Sequence, residues 1–268
     1  NTISYAAFAS CTSLPLISIP TSVTSIGSYA IAYCTSLKTI NIPTSVSLID
    51  SYAFQSCTSL TSLTIPTSVN VISYGAFQTC NSITSITIPP SVTFIGTGAF
   101  SHCTSLTSFV NPISVNSIED ATFFSCSSLT TITISTSVTS IRAYNFYSCT
   151  SLTTLTIPTT VTYIGTYAIA YCSSLTSIII PTSANYIDPY AFSYCPALTS
   201  ITIPIIVASY AFYYCTSLTS ITILTSVNTI GNNAFDSCTS LTTITIPTSV
   251  HIIGDNAFSS CTSLTSVT

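Results

Sequence analysis

Apolar residues along this chain fall into columns that return every 23 residues. Aligned on cysteine, the stretch from Cys57 to Thr79 reads C-T-S-L-T-S-L-T-I-P-T-S-V-N-V-I-S-Y-G-A-F-Q-T. The fourth place is leucine or isoleucine in every copy, from Leu14 through Leu60 and Ile83 to Leu264. The seventh and ninth places are apolar nearly throughout, with Asn111 the clear lapse. Later columns carry valine (Val23, Val46, Val69), isoleucine (Ile26, Ile49, Ile72) and an Ala-Phe pair (Ala53-Phe54, Ala99-Phe100, Ala234-Phe235). Cysteine marks the period at Cys11, Cys34, Cys57 and onward to Cys195, then at Cys215, Cys238 and Cys261. A fixed period of this size copies one supersecondary unit that buries its apolar face only against its neighbours, which is a solenoid.

The pattern inside a copy predicts the elements. Leu198-Thr-Ser-Ile-Thr-Ile203 alternates apolar with hydroxyl residues before Pro204 stops it, and this reads as a short strand. Stacked in register, one such strand per copy gives a parallel sheet with a ~4.8 Å step, so the array extends roughly 55 Å. The V-x-x-I-G stretch predicts a second short strand closed by a turn, where Gly27, Gly96, Gly165, Gly231 and Gly254 are suited to positive φ. Other copies put Asp50, Ser73, Glu119, Arg142 and Asp188 there. The A-F-x-x-C segment spaces Phe and Cys three apart, which suits a helical or 3₁₀ turn pointing both inward. The interval from Cys195 to Cys215 is shortened, and the stretch Ile205 to Ser209 lacks the Ile-Gly step, which predicts one tighter convex turn.

The combination Leu60-x-x-Leu63-x-Ile65-Pro66, Val69-x-x-Ile72 and Ala76-Phe77-x-x-Cys80 resembles the BspA-like class of leucine-rich repeats, over essentially the whole chain. The resemblance implies a mainly β solenoid of about twelve stacked coils, running as a single unit over residues 1–268. It also implies a scaffold more than an activity, since members are associated with cell surfaces, adhesion and protein binding. The usual asparagine-ladder position holds Ser22, Ser45, Ser68 and Ser91 here, and serine bonds a neighbouring backbone group more weakly than an amide.

Composition narrows the function. Hydrophobic residues make up 47% of the chain and charged residues only 3%. With Lys38 and Arg142 as the only basic side chains, too few phosphates are neutralised for nucleic-acid binding. Every apolar run is cut by hydroxyls well short of the ~18 residues a membrane span needs, so membrane insertion is not expected. Serine and threonine fill nearly all predicted outward positions. Two explanations compete: copying of a soluble hydroxyl shell as the repeat expanded, or a shell that carries O-linked sugars. No Asn-x-Ser/Thr sequon occurs. On the first strand the outward residues form two parallel hydroxyl ladders: Ser62 and Thr64, Ser85 and Thr87, Thr131 and Thr133, Thr154 and Thr156, Ser200 and Thr202, Ser220 and Thr222, Thr243 and Thr245. Such ladders resemble ice-binding faces, but Leu16, Val110 and Ile179 interrupt them.

The cysteines read first as core packing. In-register neighbours bring Cα atoms close enough for disulfides, but parallel Cβ vectors hold the sulfurs' carbons too far apart for an easy bond. Metal ligation is disfavoured because Cys-x-x-Cys is absent and only His102 and His251 exist. The acidic residues Asp50, Glu119, Asp120, Asp188, Asp236 and Asp255 are scattered, so neither an enzyme nor a cofactor is expected. Glu119 and Arg142 share a column in adjacent copies and are expected to stack as a surface ion pair. Tyrosines concentrate in two columns, Tyr144, Tyr167 and Tyr190 in one and Tyr171, Tyr194 and Tyr214 in the other. They read either as semi-buried packing or as a stripe that binds a partner or sugars.

Neither end carries an atypical capping copy. An exposed layer of apolar side chains recovers on the order of 10 kcal/mol when covered, comparable with the ~4–15 kcal/mol cost of association. Head-to-tail self-association into a filament is therefore expected, unless the chain is a fragment of a longer array. The leading expectation is a non-enzymatic extracellular structural protein, a filament or surface-layer protomer with a hydroxyl-rich exterior and O-glycans. The alternative is a cell-surface adhesin that holds a protein or glycan ligand on one face.

Overall fold

The computed structural model describes residues 1–268. The chain winds as a solenoid built from short parallel strands, with no helix. Nearly every coil carries a first strand such as Ser62–Thr64 and a second such as Val71–Ile72. Each pairs with its equivalent one repeat away: Ile40 with Leu63 on the first side, Ile49 with Ile72 on the second. Across Ser62–Thr64 burial alternates exposed, buried, exposed. A one-residue slip would turn the apolar set outward, so this alternation locks the register.

The third side corrects the expected helical turn. Ala53 N–H donates to the Asp50 carbonyl and Cys57 N–H to that of Phe54, closing β-turns whose third residues, Tyr52 and Ser56, are left-handed at φ 58° and 57°. The alternate amides of Tyr52, Phe54 and Ser56 donate instead to the carbonyls of Tyr74, Ala76 and Gln78 in the next coil, each at 2.8 Å. A single helical turn would leave most of its backbone groups unpaired. The stacked turns hand them to the neighbouring coil and make a third backbone ladder.

The glycine expectation is corrected with it. Gly27, Gly96, Gly165, Gly231 and Gly254 do not take positive φ. They mark close approach between coils: a Cβ on Gly27 would lie 2.6 Å from the Ile3 carbonyl oxygen, and one on Gly165 2.6 Å from the Ala143 nitrogen. The left-handed positions come two and six residues later, as at Tyr29 and Tyr33 or Tyr167 and Tyr171. They are occupied mostly by tyrosine and serine, and by glycine only at Gly75 and Gly98.

The short coil also differs from expectation. The Ile-Gly step is kept, as Val207-Ala208: Val207 bridges Ile230, and Gly231 N–H donates to the Val207 carbonyl at 2.8 Å. The lost residues belong to the preceding Thr-Ser-Val turn, where only Ile205 and Ile206 separate Pro204 from Val207. Ser226 accordingly donates to the Pro204 carbonyl, where its equivalents find a valine. The first-strand side is undisturbed, with Ser200–Ile203 paired to Ser220–Ile223 along its length.

Inside, the columns meet their own copies. Leu60, Leu106 and Leu152 are fully buried in one continuous core. The rings of Phe54, Phe77, Phe100, Phe123 and Phe146 stack with centroids 5.3 to 5.9 Å apart. All cysteines are free thiols, and all but Cys11 are buried. Each buried thiol donates to a carbonyl of the preceding coil, as Cys80 to Phe54 at 3.1 Å and Cys103 to Phe77 at 3.2 Å. The serine column bonds backbone as expected: Ser68 and Ser91 donate to the Val46 and Val69 carbonyls at 2.6 and 2.8 Å. The lapse at Asn111 is accommodated because its Nδ2 donates to the carbonyls of Pro112 and Val115, both at 3.2 Å.

Candidate functional site

The stacked-turn side carries the aromatic surface. In most coils an apolar pair of the turn, such as Ala53-Phe54 or Ala191-Phe192, is buried in the core, while the left-handed residues flanking it lie at the surface. Tyr144, Tyr167, Tyr190 and Tyr210 fill one left-handed column over four successive coils. Their rings stack at 5.3, 4.6 and 4.5 Å. Tyr171 and Tyr194 stack at 4.3 Å in the second column, and Tyr214 follows at 5.5 Å.

These two predicted stripes form one patch, a fact the column spacing alone does not show. Tyr147 lies between them, 5.9 Å from Tyr144 and 4.8 Å from Tyr171, and Tyr213 repeats the link between Tyr194 at 5.2 Å and Tyr210 at 5.8 Å. Tyr147 and Tyr213 share the column just before the second stripe, and that shared column was the available signal. Tyr144 and Tyr214 are the most open, at 40% and 47%, while Tyr167, Tyr171, Tyr190 and Tyr194 are half-buried. Burial, then the proximity of neighbouring phenols, raises the pKa of Tyr167, Tyr171, Tyr190 and Tyr194 above the ordinary tyrosine value. The patch therefore offers neutral hydroxyl donors at physiological pH. Because the rings stack along the solenoid axis, neighbours cover most ring faces and the edges turn outward. An open recess of about 290 Å³ lies among Tyr171, Tyr194, Tyr214 and Pro196.

The same column is interrupted elsewhere. Between Tyr52 and Tyr144 it reads Gly75, Gly98, Ala121, which leaves a trough on the same face. The gap is present in the repeat columns, but no aromatic residue marks it.

On the first-strand side, Ser62, Thr64, Ser85, Thr87, Thr131, Thr133, Thr154, Thr156, Ser200, Thr202, Ser220, Thr222, Thr243 and Thr245 all face solvent. Apart from Thr245, whose hydroxyl lies 3.0 Å from that of Thr268, they make no side-chain hydrogen bond to protein. The threonines one place earlier bond backward instead, as Thr107 to the Thr84 carbonyl at 3.1 Å. Leu16, Val110 and Ile179 break the ladders with exposed apolar side chains. On the second-strand corner Arg142 Nε lies 3.1 Å from Glu119 Oε2, the pairing the shared column predicts. Nearby, the Tyr163 hydroxyl donates to Asp188 Oδ2 at 2.6 Å, and this bond leads in pushing the phenol up to about 12.

The profile of the BspA type leucine rich repeat region matches in six copies over residues 1–107, 93–209 and 205–268. A leucine-rich repeat protein from Bacteroides ovatus superposes with a TM-score of 0.84 at 34% identity, covering 99% of this chain and 75% of that one. A leucine rich cell surface protein from Faecalibacterium prausnitzii gives 0.57 at 27%, covering 99% and 82%. A leucine-rich repeat protein from Eubacterium ventriosum gives 0.66 at 26%, covering 98% and 81%. The search of curated proteins gives no match. Period, thiol ladder and full-length profile agree, and the chain belongs to the BspA-type leucine-rich repeat family.

Proposed function

We propose that this chain is a non-enzymatic module of a cell-surface protein and that it holds a ligand on its tyrosine-rich turn face. The observation that carries this reading is the contiguous run of rings from Tyr144 to Tyr214. Tyrosine suits such a surface because each ring offers large apolar area and a hydroxyl at little conformational cost, and rings already stacked lose less freedom on binding. A surface location is supported by the Faecalibacterium relative, itself described as a cell surface protein. No helix here is long and apolar enough to cross a membrane. Head-to-tail assembly of copies would leave this lateral face open, so it is compatible with the proposal.

The test is binding of the purified chain to arrays of immobilised proteins and glycans, followed by affinity measurement on each hit. Replacing Tyr171, Tyr194 and Tyr214 together by serine is expected to weaken the hit at least tenfold, since aromatic anchors dominate interface energetics. Undiminished binding by that variant overturns the assignment of the face.

The free hydroxyl ladders favour a second property, O-linked glycosylation of the first-strand side. The intact mass of protein from its native source is expected to exceed that of the bare polypeptide by whole sugar units. A mass equal to the polypeptide removes the idea.

A further inference from the structure

The trough between the two tyrosine stacks is built differently from the rest of the turn face. Its floor is Gly75, Gly98 and Ala121, and its volume is about 200 Å³, on the scale of a sugar ring rather than of a folded partner. At one end stands Tyr52, which stacks on Tyr29 at 4.9 Å on one side and overhangs Gly75 on the other, where a Cβ would collide with its ring. Tyr52 thus ends its stack and lines the trough. Along one wall His102 packs edge-on against Phe124 at 5.2 Å.

A second, independent feature points into this space. Tyr33 donates to Gln55 Oε1 at 3.0 Å, Gln55 Nε2 to Gln78 Oε1 at 2.7 Å, and Gln78 Nε2 to Ser101 Oγ at 3.1 Å. All three bonds run in one direction, and such chains strengthen the donor at their end. That end is the Ser101 hydroxyl. Ser101 is 3% exposed, its proton has no protein acceptor, and its Oγ lies 3.5 Å from where a Gly98 Cβ would stand. Ser193, buried in the same column, donates instead to the Tyr190 carbonyl at 2.9 Å. Ser101 is therefore a buried hydroxyl with an unclaimed proton, beside the empty side-chain position of Gly98 and lining the trough.

We infer that this trough binds a neutral saccharide, with the apolar C–H face of one sugar ring on Tyr52 and a ring or hydroxyl oxygen accepting from Ser101. His102 and the Thr97 hydroxyl supply the remaining polar contacts. No Lys, Arg, Asp or Glu lines the space, so nothing compensates the charge of an acidic or basic ligand. A peptide strand is disfavoured because the amides of Gly75 and Gly98 already donate to the carbonyls of Thr97 and Asp120, both at 2.9 Å. The inference rests on the turn face being the ligand face, but it involves residues outside the Tyr144–Tyr214 patch.

The experiment is saturation-transfer NMR on the whole chain with the methyl glycosides of glucose, galactose, mannose, N-acetylglucosamine and N-acetylgalactosamine, and with glucuronic and sialic acids as charged controls. At least one neutral glycoside is expected to receive saturation, and the acids none. Gly98→Tyr is expected to abolish the signal by filling the floor. It keeps the fold, because tyrosine occupies the same column at φ 54° to 63° in six other coils and Gly98 itself sits at 64°. Ser101→Ala is expected to weaken binding about fivefold, the worth of one neutral hydrogen bond. The serine triple variant of Tyr171, Tyr194 and Tyr214 is expected to bind the glycoside as wild type does. Silence from every neutral glycoside, or equal binding by Gly98→Tyr, overturns the inference. Loss in the triple variant with retention in Gly98→Tyr would also overturn it while leaving the tyrosine patch as the ligand site.

Discussion

The buried thiol ladder is expected to make the stability of this protein fall at alkaline pH. Burial pushes the Cys57, Cys103 and Cys149 thiols up to about 12, from an ordinary value of 9.0. It also holds Cys80, Cys126, Cys215 and Cys238 above their ordinary value. Between pH 9 and 12 an unfolded thiol ionises while its buried counterpart stays neutral. The raised folded value therefore leaves stability whole below pH 9 and removes it as pH climbs toward 12. At pH 10 each of the thiols held near 12 costs about 1.4 kcal/mol in this way. Cys57, Cys103 and Cys149 together cost roughly 4 kcal/mol, a large part of the ~5–15 kcal/mol margin of ordinary proteins. A marked fall in stability by pH 10 is the expected outcome, followed by far-ultraviolet circular dichroism during denaturant titration in a reducing buffer. Tyrosines also begin to ionise there, so the decisive comparison is with a Cys57→Ala, Cys103→Ala, Cys149→Ala variant. Its loss of stability between pH 7 and pH 10, from denaturant titrations at each pH, is expected to be smaller by about 4 kcal/mol. Taking the difference within each protein cancels the cost of the missing sulfurs. Equal losses in the two proteins would refute the reasoning.

Three further substitutions probe the stacking itself. Phe100→Ala removes a fully buried ring stacked between Phe77 and Phe123 and is expected to cost about 3–5 kcal/mol in chemical denaturation; a loss under about 1 kcal/mol would mean the core column is not packed as described. Ser91→Ala leaves the Val69 carbonyl without its 2.8 Å donor, and about 1–2 kcal/mol of lost stability is expected by the same measurement. Thr79→Gly is expected to raise stability by about 0.5 kcal/mol, because relief of a β-branched residue at φ 61° outweighs the added freedom of the unfolded chain; destabilisation would show that the left-handed site is unstrained.

What the sequence makes legible here follows from stacking like on like. Once copies pile up in register, the burial of Leu60 and Phe77, the thiol ladder, the backbone bond of Ser68 and the pairing of Arg142 with Glu119 all follow from shared columns. The turn side was not legible, because Phe and Cys three apart face the same way in a helical turn and in consecutive β-turns. What separates the two is where the amides of Tyr52 and Phe54 go, and that is decided by the next coil. The glycines misled for a related reason: Gly27 answers crowding by Ile3 of the coil beside it, and local sequence signals conformation more readily than crowding. The short coil was ambiguous because Ile205, Ile206 and Val207 are all apolar, and only the bridge from Val207 to Ile230 fixes the alignment. The tyrosine columns were visible, while the links through Tyr147 and Tyr213 depend on ring packing.

The turn side is also where this fold is freest to vary. Its amides and carbonyls are satisfied from coil to coil, so a left-handed position asks only that its side chain tolerate positive φ and point outward. Across the coils the first such column accepts Tyr52, Gly75, Gly98, Ala121, Tyr144 and Asn233, and the second accepts Ser56, Thr79, His102 and Tyr194. The core columns accept no comparable range, since Leu60 or Cys80 meets its own copy above and below. A ligand surface can therefore be written into the turn column one residue at a time without disturbing the stack. Gly98→Tyr tests this separation directly: if the column is independent of the core, the variant melts as wild type does while the trough closes, and a large loss of stability would mean that the glycines serve the fold as well as the surface.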